Sequence, residues 1–229
     1  SNAKLIWINS PGNPDGRVLD VAEMKAAVDR ARELGALIAS DECYAELGWN
    51  EWSEKLIPSV LDPRVCGGSH EGVLAVYSLS KQSNMAGYRA AFAVGEASLI
   101  KGLVNLRMHS GLNTPGPVQR AMVVALGDED HVAAEKEIYR ERRDILLAAV
   151  RDYGFELSDS DAGLYLWATL HEDCWQTVDR MAELGIVVVP GTFYGEHSTE
   201  HVRFSITATD DKIAEGARRL RDAIGLKNA

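Results

Sequence analysis

Three turns along the chain carry polar side chains of types that perform chemistry, and each turn follows a short apolar segment. Asn13 follows the first segment, Asp41 and Tyr44 follow the second, and Ser78 and Lys81 follow the third. A lysine amine acts as a nucleophile or a general base when burial or a nearby cation lowers its pKa. If the segments are parallel strands, these groups lie at one edge of a sheet, where ligands bind in open α/β folds.

Each of these residues also has an ordinary structural explanation. A single lysine after a strand is usually a solvated surface residue, and Asp41 could cap a helix. Asn13 could stabilise its own turn, and Tyr44 could pack in the core. Only their combination in three strand–turn segments favours a shared site.

Hydrophobic periodicity predicts alternating strands and helices in the first half of the chain. Strands are predicted at residues 5–8, 37–39, 73–77 and 90–94. Asp20 and Glu23 have the spacing of a capping box, and apolar residues then recur at helical intervals up to Gly35. This alternation is typical of parallel β–α–β units.

The second half of the chain has a different pattern. A long charged helix is predicted over residues 130–150, followed by strands at 155–157, 165–168, 186–189 and 202–206 and helices at 175–184 and 210–224. We therefore predict an α/β protein with a partial large domain of mostly parallel sheet at residues 4–127. A linking helix and a small α+β domain would occupy residues 128–229, while residues 1–3 resemble the remnant of an affinity tag.

Composition restricts the classes of function. The 229 residues are 46% hydrophobic and 25% charged, as in an ordinary globular protein. A net charge of −10 opposes binding to a phosphate backbone, so no nucleic-acid partner is expected. No apolar segment resembles a membrane span or a signal peptide, which predicts a cytoplasmic protein. The three cysteines are far apart, so neither a disulfide framework nor a metal site is expected.

The polar residues fall into motifs whose order and spacing are those of a known family. The motifs are Asn13-Pro14-x-Gly16, Asp41-x-x-Tyr44, Ser78-x-x-Lys81, Gly87-Tyr88-Arg89, Gly191-x-x-Tyr194-Gly195 and Val202-Arg203-Phe204. Together they resemble the fold-type I aminotransferases of class I and II, which depend on pyridoxal 5′-phosphate (PLP). The resemblance covers essentially the whole chain after residue 3. It implies the aspartate aminotransferase-like fold.

The resemblance implies a role for each residue around the PLP ring. Lys81 matches the catalytic lysine that binds PLP through a Schiff base and then transfers a proton. Asp41 matches the carboxylate that keeps the pyridine nitrogen protonated. Asn13 and Tyr44 match the groups that donate to the ring phenolate.

The resemblance also implies groups for the two anionic ends of the site. Ser78 and Arg89 match the residues that bind the cofactor phosphate, with Ser80 as a weaker addition. Arg203 matches the arginine that binds the α-carboxylate of the substrate. Binding that carboxylate would close the small domain and exclude water.

Longer local matches narrow the resemblance. Residues 9–14, 40–44, 83–89, 163–168 and 206–210 are similar to actinobacterial succinyldiaminopimelate aminotransferases. Such an enzyme transfers an amino group between glutamate and N-succinyl-2-amino-6-oxopimelate during diaminopimelate and lysine biosynthesis. Arg17 and Gln82 are candidates to contact the distal carboxylates. The family resemblance further implies a homodimer.

Alternative functions remain open at this point. Another amino-acid aminotransferase or a PLP-dependent carbon–sulfur lyase would share the same cofactor contacts. A non-catalytic oligomerisation or regulatory domain would keep the sheet but has no need of the whole residue set. Complete family members also have an amino-terminal segment with a phosphate-binding helix start and a stacking aromatic ring. The chain begins on what resembles an interior strand, so we expect it to bind PLP weakly or not at all.

Several other residues are expected to be structural. The aromatic residues Trp7, Phe155, Tyr165 and Trp167 lie in strand-like segments and are predicted to be core. His197 and His201 are predicted to lie in a surface loop rather than to bind a metal. The residues Arg140, Arg142 and Arg143 are predicted to form a solvated helix face or an interface.

Overall fold

The computed structural model describes residues 2–227, and for residues 226 and 227 only the backbone. Ser1 of the predicted tag remnant, and the last two residues of the predicted small domain, lie outside this range. Contacts within the chain define two compact units. Unit 1 contains the residues up to Pro11 and Val18–Glu135, and unit 2 contains Gly12–Arg17 and the residues from Lys136 onward.

A four-stranded sheet forms the centre of unit 1. Its strands are β1 (Leu5–Asn9), β2 (Leu37–Asp41), β3 (Val73–Ser78) and β4 (Ala91–Gly95), arranged in the order β1-β2-β3-β4. The first three strands are parallel, and β4 is antiparallel to β3. All four predicted strands are confirmed, and the sheet is mostly parallel.

Helix α1 (Val21–Glu33) connects β1 and β2, and the sequence specifies both of its ends. Asp20 and Glu23 form the predicted capping box: the Asp20 carboxylate accepts from the Glu23 backbone N–H at 2.8 Å, and the Glu23 carboxylate accepts from the Asp20 backbone N–H at 3.1 Å. After the helix, Gly35 adopts the left-handed conformation with φ of 61°, which glycine tolerates without strain.

One face of the unit 1 sheet is covered by helices. Met24 and Val28 of α1 pack with Ile38 and Val73 of the sheet, and the short helix α2 (Pro63–Cys66) joins the same cluster. Burial of these side chains supplies the main hydrophobic stabilisation of the unit.

The other face of β1 is open. The side chain of Trp7 is 57% exposed and that of Leu5 is 53% exposed. The prediction that Trp7 belongs to the core is therefore wrong. Alternation along β1 does place it in an apolar strand, but no described layer covers that side of the strand.

Two further helices of unit 1 have no counterpart in the sequence-based prediction. Helix α3 (Ala97–His109) has no buried residue, and helix α4 (Gly116–Leu126) buries only Met122. Large apolar side chains on both helices, including Leu106 and Val123, are exposed. None of the helices in residues 2–227 is long and apolar enough to cross a membrane.

Unit 2 is an antiparallel sheet with helices, as the α+β prediction requires. The chain enters it through α5 (Glu129–Tyr153). Its strands are β5 (Glu156–Ser158), β6 (Tyr165–Thr169), β7 (Val189–Pro190) and β8 (His201–Ser205), in the order β5-β6-β8-β7, and its other helices are α6 (Cys174–Glu183) and α7 (Asp210–Lys227).

The strand predicted at residues 186–189 is wrong for most of its length, because β7 begins only at Val189. The preceding residues complete the end of α6 instead. Gly185 is left-handed with φ of 68°, and the backbone N–H of Ile186 donates to the Met181 carbonyl at 2.9 Å. A helix end satisfied in this way leaves no extended backbone for a strand.

Alternation along β6 and β8 separates two faces of the unit 2 sheet. Leu166 of β6 and Val202 and Phe204 of β8 are almost fully buried. Successive strand residues point to opposite faces, so Tyr165 and Arg203 lie on the other side. This second face carries the polar and aromatic residues described below.

Candidate functional site

Parallel pairing aligns the carboxyl ends of the strands in unit 1. Asn9 is in register with Asp41, and Asp41 is in register with Val76. The Asn9 side chain donates to the Asp41 carbonyl at 3.0 Å, which ties the ends of β1 and β2 together. Asp41 ends β2 and Ser78 ends β3, so two of the predicted site residues lie at one edge of the sheet.

The turn after β2 is organised by the Asp41 carboxylate. Its Oδ1 accepts a hydrogen bond of 3.1 Å from the backbone N–H of Cys43. Burial, followed by the hydrogen bond and negative charge of Asp41, raises the pKa of the Cys43 thiol to about 12. The positive charge of Lys81 lowers that pKa to a smaller extent. Cys43 is therefore a neutral thiol at physiological pH, and not a nucleophile.

The Lys81 amine lies against the ring of Tyr44. Its Nζ atom is 5.7 Å from the ring centroid, and the Tyr44 side chain is only 5% exposed. The structure therefore brings an amine and a phenol together. Lys81 and Tyr44, which come from two different turns, thus lie together, and Asp41 lies at the start of the turn that carries Tyr44. Lys81, Tyr44 and Asp41 are called the unit 1 cluster below.

The residues predicted to bind phosphate are only partly assembled. The Ser78 hydroxyl donates to the Ala90 carbonyl at 3.0 Å and lies 2.6 Å from the Ser80 hydroxyl. Arg89 is exposed and left-handed with φ of 52°, and its guanidinium donates to the carbonyl of Ala86 at 3.0 Å. The two hydroxyls are therefore together, whereas the Arg89 side chain is directed to its own turn.

The two residues suggested for the distal carboxylates have different surroundings. Gln82 is 6% exposed, and its side-chain oxygen accepts from the Tyr77 hydroxyl. Burial is the main cause that raises the pKa of Tyr77. Arg17 is exposed, in the segment Gly12–Arg17.

Glu42 is a structural residue of the site that the sequence analysis missed. Its side chain is 6% exposed, and its Oε1 accepts from the backbone N–H of Val60 at 2.7 Å. Burial raises the pKa of this carboxyl, while the hydrogen bond to Val60 opposes the shift. The sequence did offer a signal for this residue. Glu42 directly follows Asp41, and consecutive residues of an extended chain point to opposite sides, so the two carboxyl groups could be expected to have different surroundings.

The remaining predicted residues, Asn13 and Arg203, lie in unit 2. Arg203 is on β8, and its Nη1 donates to the side-chain oxygen of Asn13 at 2.9 Å. The two residues are separated by 190 positions in the sequence. An amide and a guanidinium that the family resemblance assigns to different ligands are thus in direct contact.

The segment that carries Asn13 is held by backbone hydrogen bonds. The carbonyl of Asp15 accepts from the Ser160 N–H at 3.0 Å, and the carbonyl of Gly16 accepts from the Ala162 N–H at 2.9 Å. Gly16 has φ of 75°, and a Cβ atom there would lie 2.4 Å from the Ala162 carbonyl oxygen. Only glycine fits this position.

Arg143 supports the same region from α5. It is 6% exposed, and its Nη2 donates to the carbonyl of Ser160 at 2.9 Å and to the Ser160 hydroxyl at 3.2 Å. The interpretation of this arginine as part of a solvated face is therefore wrong, although it fits Arg140, which is half exposed and paired with Glu137. Charge alone did not distinguish the buried arginine from its neighbour.

The Arg203 guanidinium is surrounded by aromatic rings. Its Cζ atom is 3.8 Å from the ring centroid of Tyr165 and 5.3 Å from that of Tyr194. Tyr165 is partly exposed and contacts a functional candidate, so the prediction that it is core is wrong. Phe155 and Trp167 are 4% and 6% exposed, as predicted for core residues.

The two histidines differ in their surroundings. His197 is exposed in the turn before β8, as predicted. His201 is the first residue of β8, and its ring stacks on Trp167 with centroids 5.2 Å apart, so its placement in a surface loop is wrong. The part of the chain that the structure describes contains no group of three or more His, Cys, Asp or Glu residues able to hold a metal ion.

Comparison with known proteins identifies the class to which this fold and these residues correspond. The sequence matches the family "Aminotransferase class I and II" over residues 1–220. The chain therefore belongs to the class I and II aminotransferases. A solved structure described as a probable N-succinyldiaminopimelate aminotransferase from Thermus thermophilus has a TM-score of 0.82 and 30% identity, covering 96% of this chain and 59% of that chain.

Two curated relatives are more similar in sequence. The 4-dedimethylamino-4-oxo-anhydrotetracycline transaminase OxyQ of Streptomyces rimosus is 50% identical over 95% of this chain and 59% of its own length. The probable aminotransferase Rv1178 of Mycobacterium tuberculosis is 49% identical over 94% of this chain and 51% of its own length. The chain thus spans a little over half the length of these relatives.

The family implies PLP, and the donor groups of unit 1 fit it. The cluster of Lys81, Tyr44 and Asp41 contains the amine, phenol and carboxylate that a pyridine aldehyde with a phenolate oxygen requires. The hydroxyls of Ser78 and Ser80 lie together, and each has one proton that could turn from its present acceptor to a phosphate oxygen.

Proposed function

We propose that this chain is part of a PLP-dependent aminotransferase. The observation that carries the proposal is the placement of the Lys81 amine 5.7 Å from the buried Tyr44 ring, beside the turn that Asp41 organises at the carboxyl end of β2. A regulatory or oligomerisation domain has no need of a lysine, a phenol and a carboxylate in one cluster. The family membership supports the same assignment.

Each residue of this cluster has a defined task in the proposal. Lys81 would hold the cofactor covalently until the substrate amine replaces it, and the freed Nζ amine would then move the proton of the substrate α-carbon. Asp41 stabilises a proton on the pyridine nitrogen, and Tyr44 donates to the ring phenolate. PLP, when bound, supplies the electron sink for the reaction. Ser78, with Ser80, would donate to the phosphate after its hydroxyl proton turns away from the Ala90 carbonyl.

Arg89 is the remaining phosphate ligand in the proposal. Its guanidinium can present two parallel donors to phosphate oxygens, which a hydroxyl cannot. Because its side chain now donates to the Ala86 carbonyl, this role requires a change of rotamer. An exposed side chain makes such a change at little cost.

Arg203 and Asn13, which lie in unit 2, have the remaining roles in the proposal. A guanidinium is the side chain best suited to a carboxylate, so Arg203 is assigned to the α-carboxylate of the substrate. Asn13 accepts from Nη1 of Arg203 through its side-chain oxygen, and the family resemblance assigns its amide to the ring phenolate.

Covalent labelling tests the assignment of the lysine. The chain and the full-length gene product are incubated with PLP, reduced with borohydride and digested, and the peptides are analysed by mass spectrometry. The label is expected on Lys81 in the full-length product, absent from a Lys81→Ala variant and unchanged in a Lys55→Ala variant, since Lys55 pairs with Glu51 on the surface. Labelling of a different lysine, or none in the full-length product, would refute the proposal.

The finer proposal is that glutamate and N-succinyl-2-amino-6-oxopimelate are the substrates, in a homodimeric cytoplasmic enzyme of lysine biosynthesis. Its support is the similarity in sequence and fold to the Thermus protein with that description. Formation of 2-oxoglutarate from glutamate with this oxo acid as acceptor is the expected result. Release of pyruvate from a sulfur amino acid would instead indicate a carbon–sulfur lyase.

A second candidate acceptor follows from the relative OxyQ, whose name describes a transaminase of a 4-oxo-anhydrotetracycline. Identity of 50% makes a bulky polycyclic ketone a specific alternative to an aliphatic oxo acid. The two acceptors are compared in one assay with glutamate as the donor. The acceptor with the higher kcat/KM identifies the substrate class.

A further inference from the structure

Arg203 has an arrangement of neighbours that is unusual for a guanidinium on a sheet. Its strand β8 lies between β6 and β7, so the side chain emerges from the interior of the unit 2 sheet and not from an edge. Trp167 is directly opposite it on β6 and Val189 directly opposite it on β7. Tyr165 occupies the diagonal position on β6, two residues from Trp167. Diagonal neighbours of this kind are within reach of long and aromatic side chains.

Arg203 forms few hydrogen bonds for a partly buried guanidinium. Nη1 donates to Asn13, whereas Nε is buried and donates to no acceptor among residues 2–227. Leaving a buried donor unsatisfied is costly. The face of the Tyr165 ring, 3.8 Å from Cζ, offsets part of that cost because an aromatic face attracts a cation.

Burial of Nε also decides how a carboxylate can approach. A guanidinium binds a carboxylate with two N–H groups, either through Nε and one Nη atom or through both Nη atoms. The first mode is closed because Nε is covered. The edge formed by Nη1 and Nη2 is therefore the edge of Arg203 that remains for a ligand.

We propose that Tyr165 is a positioning residue for Arg203: its ring fixes the plane of the guanidinium so that the Nη1–Nη2 edge faces the substrate carboxylate. The inference rests on the proposed function, because it concerns the arginine assigned to the α-carboxylate. Stacking acts through the ring face, so the hydroxyl group of Tyr165 is not needed for it. A leucine side chain has no such face and leaves the guanidinium free to rotate.

A guanidinium of Arg203 held in one orientation increases the selectivity for substrates that carry an α-carboxylate. With Tyr165→Leu, the ratio of kcat/KM for an amino acid to that for the amine lacking its carboxyl group is expected to fall roughly tenfold. A residue that only supports the fold would lower both rates together and leave the ratio unchanged. Tyr165→Phe keeps the ring and is expected to keep the ratio.

A second measurement does not depend on PLP or on activity. In ¹H–¹⁵N spectra of the chain, the buried Nε–H of Arg203 is shielded from water and gives a resolved peak, assigned by its loss in Arg203→Lys. The buried Nε–H of Arg143 in the same unit is the reference. We expect Tyr165→Leu to broaden the Arg203 peak, and Tyr165→Phe to retain it. If the reference peak is also lost, the unit has unfolded, and Tyr165→Met is measured instead.

The outcomes separate the inference from the function on which it rests. A sharp Arg203 peak in Tyr165→Leu, beside an unchanged Arg143 peak, overturns the positioning role. A broadened peak with an unchanged selectivity ratio shows that Arg203 does not bind the carboxylate, which rejects the proposed role of the arginine and the inference with it. A broadened peak with a reduced ratio supports both.

Discussion

The carboxyl group of Glu42 accepts a hydrogen bond of 2.7 Å from the backbone N–H of Val60, inside unit 1 and directly after Asp41 in the chain. Burial is the largest cause of its raised pKa. Two neighbouring carboxyl groups are thus placed in different environments, because Glu42 is buried whereas Asp41 is partly exposed.

A pH-dependent loss of stability follows from this burial. A carboxyl whose pKa is raised in the folded state binds more protons there than in the unfolded state, so the free energy of unfolding falls as pH rises above the ordinary value of 4.5. Glu42→Gln stays neutral and can still accept from Val60. Urea unfolding should show the stability of the variant rising relative to that of the native chain as pH increases above 4.5. A constant difference across that range would contradict the assignment.

Replacement of Gly16 should disturb the segment that carries Asn13. Gly16→Ala combines a left-handed φ of 75° with a contact of 2.4 Å to a backbone oxygen, so we expect a loss of about 2 kcal/mol or more in unfolding free energy. Gly35→Ala is the matched control, because Gly35 has φ of 61° and no heavy atom within 4 Å of the position that an added methyl group would take. Its expected loss is about 1 kcal/mol. Equal losses in the two variants would show that the close contact is relieved.

Removal of Arg143 should destabilise unit 2, whereas removal of Arg140 on the same helix should not. Arg143→Ala abolishes the bonds to Ser160 and leaves a cavity in a buried region, which should cost about 2 to 4 kcal/mol. Arg140→Ala loses only exposed ion pairs, which contribute little, and should leave stability nearly unchanged. Chemical denaturation of both variants measures the difference, and similar values would refute a structural role for Arg143.

Asp41→Asn separates the charge of Asp41 from its role in the turn. The amide oxygen can still accept from the backbone N–H of Cys43, so the thermal midpoint should change little. Loss of the anion should lower transaminase kcat/KM by about 100-fold or more in the PLP-loaded full-length product. Lys55→Ala serves as a surface control. Activity near the native level in Asp41→Asn would remove this carboxylate from the proposed site.

Local signals in the sequence were sufficient for most elements. The capping box of Asp20 and Glu23 and the apolar period of α1 depend only on nearby residues, and the structure reproduces them. The prediction of a strand at 186–189 was wrong because the backbone at the start of this range forms a hydrogen bond that completes the end of α6. Helices α3 and α4 show little of the buried stripe on which helix prediction depends.

The candidate residues also divide into those that local sequence could predict and those that it could not. Lys81, Asp41 and Tyr44 could be assigned because each belongs to a motif of fixed spacing after a strand. Tyr165 and Arg143 could not, because their roles depend on contacts with residues 38 and 17 positions away in the chain. From sequence alone, a tyrosine in an apolar strand is predicted to be core and an arginine in a charged helix is predicted to be at the surface. Correcting these predictions requires the tertiary contacts of each residue.

The exposure of α3 has a consequence for the internal dynamics of unit 1. A helix of 13 residues with no fully buried side chain and no side-chain N-cap gains little from tertiary packing. Isolated helices of that length are marginal in water, so its opening free energy should be far below that of α1. Amide hydrogens between residues 97 and 109 should exchange with deuterium first, while those of α1 remain protected until the whole unit opens.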